Sequence, residues 1–277
     1  MPELPEVETV CRGLAPYLEG RLITDVQVHR RDLRQPVNDD FEKRVKDQRI
    51  IRIDRRAKYI VMCLEGGGAI LAHLGMSGTF RIIAQDDIDE GKKHDHIAFQ
   101  VDDGVQVIYN DPRRFGIVMY VEQDALDNHP LLSHIGPEPF SNAFNGPYLK
   151  EKLKGRKTAI KVAILDQKLV AGVGNIYASE ALFRAGISPK RASERVSGPA
   201  LERLAREIKV VLSDAIAAGG STLKDFHAPA GDLGYFPHAF KVYDRENEAC
   251  ATKGCDGIVK RIAQTGRSSF YCPKCQS

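Results

Sequence analysis

The runs IIRIDRRAKYIVMCL at residues 50–64 and AILAHL at 69–74 decide the class of fold. They are rich in branched apolar residues, and many positions alternate between apolar and polar side chains, as in half-buried strands. Five further runs of this kind surround them: LITDVQV at 22–28, TFRII at 79–83, HIAFQV at 96–101, VQVIYN at 105–110 and GIVMYV at 116–121. Because short strands follow one another without long helices, they predict an antiparallel sandwich or barrel. The sequence Asp102-Asp103-Gly104 predicts a hairpin turn.

Helical patterns stand before and after these strands. Residues 5–18 predict a short amphipathic helix, because Pro5 suits the first turn and apolar residues fall on one face. Residues 197–218 predict a longer helix with Ser197 as its cap. The chain therefore mixes a β-rich first half with a helical second half, which is an α+β class of fold.

Residues 157–186 predict two shorter helices. The Gly-containing run LVAGVGN at 169–175 separates them, and Asn175 can cap the second helix. The loop between residues 129 and 147 is rich in Pro, Gly and Asn and is the best candidate for a linker.

The composition is that of a globular protein, and the two halves of the chain differ in net charge. Of its 277 residues 43% are apolar and 28% charged, and no apolar run approaches the roughly 20 residues that span a bilayer. The N-terminus lacks a secretory pattern, so we expect a cytoplasmic protein. Lys and Arg against Asp and Glu number 19 to 24 over residues 1–150, and 21 to 13 over 151–277. A basic second half suits a polyanion, although this number alone favours an unevenly charged solvated surface.

Six cysteines divide into two kinds. Cys11 and Cys63 stand alone within apolar patterns, which favours small buried thiols. The other four form two close pairs, and in a chain without an export signal such pairs favour a metal over disulfides. They are Cys250, Cys255, Cys272 and Cys275.

Four thiolates close a tetrahedral site around one zinc ion and leave no position for water, so the predicted ion is structural. Between the two cysteine pairs, the runs IVKRIA at 258–263 and SSFYC at 268–272 predict a β-hairpin. Arg267 would stand at or near its tip, where a guanidinium can bind phosphate; taken alone, such an arginine is more often an ordinary soluble turn residue.

The N-terminal sequence MPELPEVETV carries a second chemical signal. Met before the small residue Pro2 is normally removed, and an α-amino group titrates near pH 8, so a useful fraction is neutral. Such an amine can attack a sugar carbon and form an iminium, with Glu3 and Glu6 close by as carboxylates. The alternative is that this acidic, Pro-containing N-terminus only caps a helix.

The same N-terminus resembles that of the formamidopyrimidine-DNA glycosylase family. Further blocks resemble the family in the same order and cover essentially the whole chain: RRAKYI (55–60), HLGMSG (73–78), KHDHI (93–97), NDPRRFG (110–116), IGPEP (135–139), KTAIK (157–161), LDQKLVAGVGNIYASEALFRAGISP (165–189) and GRSSFYCPKCQ (266–276). The resemblance implies an N-terminal antiparallel β-sandwich flanked by helices, and a C-terminal helical domain with a helix–two-turns–helix motif and a β-hairpin zinc finger. The expected parts are a catalytic domain at 1–130, a linker at 131–150, a helical DNA-binding domain at 151–243 and the zinc finger at 244–277.

The resemblance also assigns catalytic roles. It implies that Pro2 is the nucleophile, that Glu3 protonates the opening deoxyribose ring, and that Glu6 is a supporting acid. Lys58 corresponds to a catalytic-site lysine; the alternative is an exposed strand residue. His73 corresponds to a phosphate contact, although a histidine at the end of an apolar strand is more often structural.

Three residues match those that fill the gap left by a flipped nucleotide: Met76, Arg113 and Phe115. A thioether and an aromatic ring can occupy the unstacked space, and a guanidinium can hydrogen-bond the orphaned cytosine. Without the resemblance, Met76 and Phe115 would be ordinary core residues.

Two further positions are implied to contact DNA. Asn175 lies at a helix N-terminus that favours phosphate, and Lys157 lies on the DNA side, where it could equally belong to a solvated charge run. The segment 224–243 corresponds to the loop over the flipped purine. Two features depart from the family pattern: four residues separate the first cysteine pair, where two are commoner, and Asp244 stands where a glycine is usual.

The resemblance predicts a monomeric repair enzyme acting on double-stranded DNA, with no membrane partner and no cofactor besides one structural zinc. It would excise 8-oxoguanine and formamidopyrimidines and then cleave the strand by β,δ-elimination. One alternative is an endonuclease VIII-type glycosylase for oxidised pyrimidines. Another is a non-catalytic zinc-finger protein that binds damaged DNA.

Overall fold

The computed structural model describes residues 1–87, 91–221 and 240–277. These residues form two units. The first contains Met1–Ser133 together with Gly219, Gly220 and Ser221, and the second contains His134–Ala218 and the tail from Phe240. The finer division at residues 130, 150 and 243 stays a prediction, and the expected loop at 224–243 falls largely outside the described residues. Among the residues described, no helix is both long and apolar enough to cross a membrane.

Three helices and eight strands of the first unit lie within the described residues. The helices are α1 (Leu4–Leu18), α2 (Phe41–Val45) and α3 (Gln123–Leu126). The strands are β1 (Ile23–Val28), β2 (Ile50–Arg56), β3 (Tyr59–Leu64), β4 (Gly68–His73), β5 (Thr79–Ile83), β6 (Asp95–Val101), β7 (Gln106–Asn110) and β8 (Ile117–Glu122). They form two antiparallel sheets of order β1-β6-β7-β5 and β2-β3-β4-β8.

The two sheets share one apolar core, which makes this unit a sandwich. Phe80, Phe99 and Val107 from one sheet join Met62 and Ile70 from the other in a single buried cluster. Helix α1 adds its apolar face to the same cluster, as its periodicity predicts. The antiparallel sandwich expected from the sequence is confirmed.

The run at 50–64 is two strands rather than one. A two-residue turn at Ala57 and Lys58 reverses the chain, and Arg56 pairs with Tyr59 across it. Ala57 has φ +52°, a left-handed conformation usually taken by Gly, Asn or Asp, so no residue type marks this turn in the sequence. The predicted turn at 102–104 is present, with Gly104 at φ +83° between β6 and β7.

The two isolated cysteines are buried, as expected. Burial raises the pKa of the Cys11 thiol to about 12, and burial also raises the pKa of Cys63. Both thiols are therefore protonated near neutral pH and chemically quiet.

The second unit is helical and ends in a hairpin. Its described elements are α4 (Gly146–Leu153), α5 (Ile160–Ile164), α6 (Asn175–Arg184), a 3₁₀ turn at Ser193–Arg195, α7 (Gly198–Ala217), β9 (Lys260–Gln264) and β10 (Arg267–Tyr271). The predicted split of 157–186 into two helices is confirmed by α5 and α6. Ser197 occupies the N-cap position of α7, but its side chain makes no capping hydrogen bond there.

The hairpin packs on the helices through a small apolar cluster. Val242, Val259 and Phe270 are buried together, and Phe183 of α6 packs against them. The turn between β9 and β10 consists of Thr265 and Gly266, both with positive φ, so Arg267 lies beside the tip as expected. Its side chain is exposed.

Candidate active site and metal centre

The first candidate site is the N-terminus of α1. Pro2 and Glu3 are buried, and Glu3 stands at the N-cap position in an extended conformation. Glu3 and Glu6 form a reciprocal capping box, in which a Glu6 carboxylate oxygen accepts the Glu3 N–H at 2.8 Å. The helix-cap interpretation is therefore correct as structure, and it fixes the backbone immediately after Pro2.

Glu6 also binds a distant part of the chain. Its other carboxylate oxygen accepts the backbone N–H of Ser221 at 2.9 Å and the Ser221 hydroxyl at 2.8 Å. Gly220, with φ +82°, lies close against Glu6. Sequence reasoning missed Ser221, because the two partners are 215 residues apart and a lone serine carries no pattern.

Lys58 and His73 lie next to the β2–β3 turn. Lys58 is 7% exposed, so the interpretation of an exposed strand residue is wrong. The His73 Nδ1 accepts the Gly75 N–H at 2.9 Å, and its ring lies 4.9 Å from that of Tyr59. Burial lowers the pKa of His73 to about 4, helped by the charges of Lys58 and Arg34. The ring is therefore neutral at pH 7, and its remaining proton lies on Nε2 as a donor.

The three residues of the predicted plug stand on two loops of the sandwich. Met76 is 37% exposed and Phe115 45%, so the interpretation of ordinary core residues is wrong. The Arg113 guanidinium carbon lies 4.8 Å from the centre of the Phe115 ring, a cation–π contact. A Cβ at Gly75, beside Met76, would stand 2.4 Å from the Phe115 carbonyl carbon, so the loops touch at their backbones.

The second candidate site is the four-cysteine cluster. All four sulfurs lie within 4.8 Å of one another. Neighbouring sulfurs are 3.6 Å apart for Cys250–Cys275, 3.8 Å for Cys255–Cys272 and 3.4 Å for Cys255–Cys275. Sulfurs bound at about 2.3 Å around one tetrahedral ion stand about 3.8 Å apart, whereas a disulfide needs about 2.05 Å. The cluster therefore fits a metal ion and not a pair of disulfides.

The longer spacing of the first cysteine pair leaves this cluster intact. Gly254, with φ +79°, turns the chain back before Cys255. The Thr252 N–H points to the Cys250 sulfur at 3.4 Å, and the Gly257 N–H to the Cys255 sulfur at 3.3 Å. Such amide donors orient and stabilise thiolate ligands.

Asn175 does not cap α6 as predicted. It is the first residue of the helix, after Gly174 at the N-cap position. Its side-chain amide donates to the Ser268 carbonyl at 3.0 Å, and its oxygen accepts from the Lys161 amine at 2.7 Å. Lys161 is 1% exposed and also donates to the Ser269 hydroxyl at 2.7 Å. The side chain is used to join the start of α6 to β10.

Sequence reasoning singled out Lys157 as a DNA contact, which stays a prediction, and did not single out the buried Lys161 four residues further on. Lys157 is exposed and precedes α5, while Lys161 lies inside that helix. The only available signal was the apolar neighbourhood of Lys161, which predicts burial and hence a set of partners.

Asp244 adopts a left-handed backbone conformation of the kind that glycine favours. Its φ is +58°, in the left-handed region that favours glycine and tolerates aspartate. The chain just before it is fixed by Glu180, a residue that sequence reasoning did not single out. The Glu180 carboxylate accepts the N–H groups of Lys241, Val242 and Tyr243 at 2.8–3.0 Å.

Comparison with known proteins assigns both units. Residues 1–118 match the model of the formamidopyrimidine-DNA glycosylase N-terminal domain, and residues 135–227 match that of the H2TH domain of the same family. Formamidopyrimidine-DNA glycosylases of Dinoroseobacter shibae and Ruegeria pomeroyi are 50% and 51% identical, over 100% of both chains.

Solved structures agree along the whole chain. The MutM (Fpg) protein from Thermus thermophilus has a TM-score of 0.88 at 40% identity, with 99% of this chain and 98% of that chain covered. The Lactococcus lactis Fpg has a TM-score of 0.90 at 32% identity in its complex with abasic-site DNA, with 99% of each chain covered. The same Lactococcus lactis protein in a complex with Fapy-dG DNA has a TM-score of 0.89 at 32% identity, with 99% of this chain and 100% of that chain covered.

A β-sandwich with a capped prolyl N-terminus, an H2TH unit and a four-cysteine hairpin define a DNA glycosylase of base-excision repair. The chain belongs to the formamidopyrimidine-DNA glycosylase family, whose members are bifunctional glycosylases and AP lyases. The resemblance stated from the motifs is confirmed.

Proposed function

We propose that this chain excises 8-oxoguanine and formamidopyrimidines from duplex DNA through the amine of Pro2, and then cleaves the strand by β,δ-elimination. The observation that supports this most is the N-terminus itself, where the reciprocal capping box with Glu6 fixes both the backbone and the side chain of Glu3, the residue directly after Pro2. Removal of Met1 turns Pro2 into a secondary amine whose pKa suits a neutral nucleophile near pH 8.

In the first step, the Pro2 nitrogen forms a bond to C1′ and the bond from C1′ to the base breaks. Glu3 supplies a proton to O4′ as the sugar ring opens, which leaves a C1′ iminium on Pro2. The iminium acidifies the proton on C2′, and its loss expels the 3′-phosphate. A second elimination expels the 5′-phosphate, so that a one-nucleotide gap remains. The proton of the Pro2 amine leaves with the expelled base, and water finally hydrolyses the iminium, which releases the unsaturated aldehyde and restores the amine without a redox partner.

Lys58 and His73 would hold the strand at this site. The buried Lys58 brings a positive charge next to the lesion, and the Nε2–H of neutral His73 donates to a backbone phosphate. Because the imidazole is neutral, its contribution is a directed hydrogen bond and not an ion pair.

Met76, Arg113 and Phe115 would fill the space left by the flipped nucleotide. Their exposure and the stacking of Arg113 on Phe115 support this role, because a plug must be presented to the solvent before DNA binds. The guanidinium then pairs with the orphaned base, and the apolar groups offset the few kcal/mol lost on unstacking.

We propose zinc as the ion of the cysteine cluster, with a structural role. It would be held by the thiolates of Cys250, Cys255, Cys272 and Cys275 and would fix the hairpin geometry. Arg267 at the hairpin tip and the N–H groups at the start of α6, beside Asn175, then bind phosphates; exposed Lys157 adds charge. Because its substrate is genomic DNA, we expect the enzyme to act on the nucleoid in the cytoplasm. We also expect it to act as a monomer.

The experiment compares the mature protein with a variant that retains one glycine before Pro2. We expect the mature protein to excise 8-oxoguanine and nick the duplex, while the extended variant binds the same duplex and leaves it intact. Equal excision by both would overturn the Pro2 assignment. Tight binding without any excision by the mature protein would instead favour the non-catalytic alternative.

Substrate choice separates the purine enzyme from the endonuclease VIII-type alternative. An 8-oxoguanine duplex and a thymine-glycol duplex compete for the mature protein in one reaction. We expect preferential excision of 8-oxoguanine opposite cytosine, and preferential excision of thymine glycol would overturn the substrate assignment.

A further inference from the structure

A fully buried carboxylate, Asp111, lies beneath the two loops that carry the plug. One of its oxygens accepts the Ser77 hydroxyl at 2.6 Å and the Arg113 N–H at 3.2 Å. The other accepts the Gly116 N–H at 2.8 Å and the Tyr109 hydroxyl at 3.3 Å. Four donors from three chain segments therefore converge on one carboxylate.

Asp111 is itself fixed through its backbone. Its N–H donates to the His94 carbonyl at 3.1 Å, and its carbonyl contacts the His96 Nε2 at 2.8 Å. His96 is buried at the start of β6, so these contacts tie the Asp111 backbone to the sandwich.

Three of the four donors belong to two loops, which we name the Met76 loop (residues 74–78) and the Arg113 loop (residues 111–116); the fourth, Tyr109, lies in β7. Ser77 is the residue next to Met76, and its hydroxyl also accepts the Arg113 N–H at 3.2 Å. Asp111 and Ser77 thus form a direct link between the two loops.

The space between the loops is closed. A Cβ at Gly78 would stand 2.6 Å from the Tyr109 hydroxyl, and one at Gly116 would stand 1.8 Å from it. Arg114, beside Arg113, holds φ +57°, which a residue with a side chain adopts only when its surroundings impose it. The two loops are therefore closely packed on each other around a buried hydrogen-bonded centre.

We propose that Asp111 is a positioning residue that holds Met76, Arg113 and Phe115 in register, so that they enter the duplex as one unit. The proposal rests on the proposed plug and deepens it. A plug from two independent loops would have to be ordered at each binding event, which weakens the contact to the base opposite the lesion. With the loops linked through Ser77, the Arg113 backbone is set before DNA arrives.

A merely structural carboxylate predicts something different. Its loss would lower stability and reduce every activity in parallel. A positioning role instead predicts a selective loss in two quantities: the preference for cytosine over adenine opposite 8-oxoguanine, and base excision relative to cleavage of a preformed abasic site, which has no base to extrude.

The variants are Ser77→Ala, Asp111→Asn and their double mutant, with Ser77→Thr as the variant that keeps the hydroxyl. Ser193→Ala is the matched control, because the buried Ser193 hydroxyl donates one bond of similar length, 2.7 Å, to the Thr158 carbonyl within the second unit. For each protein, kcat and KM are measured with 8-oxoguanine opposite cytosine, 8-oxoguanine opposite adenine, and an abasic site.

We expect Ser77→Ala to lower the cytosine-over-adenine ratio of kcat/KM about 3- to 10-fold and Asp111→Asn at least as much, as for coupled neighbouring groups. The double mutant should match Asp111→Asn, Ser77→Thr should restore the ratio, and abasic-site cleavage should stay within about twofold. Ser77→Ala keeps the test valid if Asp111→Asn fails to fold.

An unchanged ratio in Ser77→Ala, or a parallel loss of all activities, would overturn the positioning role while the proposed function stands. If the unmodified protein excises no oxidised purine at all, the proposed function fails, and the positioning role fails with it. Excision of oxidised purines by the unmodified protein therefore distinguishes failure of the positioning role from failure of the proposed function.

Discussion

The N-terminus of α1 and the cysteine hairpin hold their functional residues by different means. At the N-terminus, Glu3 is fixed by hydrogen bonds with Glu6, whose other partner, Ser221, is 215 residues away. In the hairpin, four thiols less than 30 residues apart in sequence gather around one point. A substitution at the hydrogen-bonded site should therefore affect one function and leave the others. Loss of a single ligand at the metal site should abolish metal binding and the local fold together.

The largest expected effect is a loss of base excision when the hydrogen-bonded site at the N-terminus of α1 is changed. In the proposed mechanism, Glu3→Gln removes the proton that the opening sugar needs, so we expect base excision to fall by about 10²–10⁴-fold. Binding of an uncleavable abasic analogue should change little. Single-turnover excision and a binding titration measure the two quantities.

Glu8→Gln is the matched control, because Glu8 lies on the same helix and pairs only with Arg12 and Arg55 among the contacts described. We expect it to retain excision within a few-fold. An equal loss in both variants would show that helix charge, and not proton donation by Glu3, is responsible.

The next effect is expected when the proposed zinc ion is removed from the hairpin. Cys255→Ala, or treatment with a chelator, should remove one equivalent of zinc and release the hairpin from its fixed geometry. Because Arg267 then loses its fixed place, we expect affinity for duplex DNA to fall roughly 10- to 100-fold and the salt slope to fall by about 1.

Metal analysis and salt-dependent binding check this result. Cys63→Ala serves as the control, since Cys63 is a buried thiol of the sandwich outside the cluster. It should keep its metal and its salt slope. Full binding by a protein without metal would contradict the structural role.

A smaller effect is expected on the pH dependence of stability, through His73 of the sandwich. His73 has a pKa of about 4 in the folded protein against 6.5 when unfolded, so the unfolded chain binds the proton first as the pH falls. The stability linked to His73 is therefore full above pH 6.5 and is lost between pH 6.5 and 4, by at most about 3 kcal/mol. Denaturant unfolding across this range should show that slope.

His73→Gln removes the titrating ring and should flatten the dependence over the same window. A slope of equal size in His73→Gln would place the responsible group elsewhere.

The smallest effect is at Asp244, next to the hairpin. Asp244→Gly keeps the left-handed backbone at φ +58° and removes its strain, so we expect about 0.5–1 kcal/mol of added stability. Asp127→Gly is the control, because φ is −66° there and glycine offers no relief. Thermal unfolding should show a rise for the first and a fall for the second; the same sign in both would contradict the backbone explanation.

Features that depend on nearby residues could be predicted from the sequence, whereas features that depend on distant contacts could not. The cysteine cluster and the hairpin tip depend on nearby residues with strong chemical signals, and α1 depends on a periodicity of the chain itself. These expectations are met in the structure.

Contacts between distant segments carried no such signal. The turn at Ala57 has no glycine or asparagine. Asn175 was expected to cap α6, but its side chain instead binds the Ser268 carbonyl. Asp111 lies in a polar, charged motif in which no pattern predicts a buried carboxylate. Each is decided by a tertiary partner, which overrides the local preference of the residue.

The most direct test of the Pro2 mechanism is covalent trapping. The mature protein is incubated with an 8-oxoguanine duplex and borohydride, and the adducted peptide is sequenced by mass spectrometry. We expect the reduced sugar on the nitrogen of Pro2, in a peptide that begins PELPEVETV. Attachment to Lys58 or any other lysine, with Pro2 unmodified, would contradict the imino-terminal nucleophile.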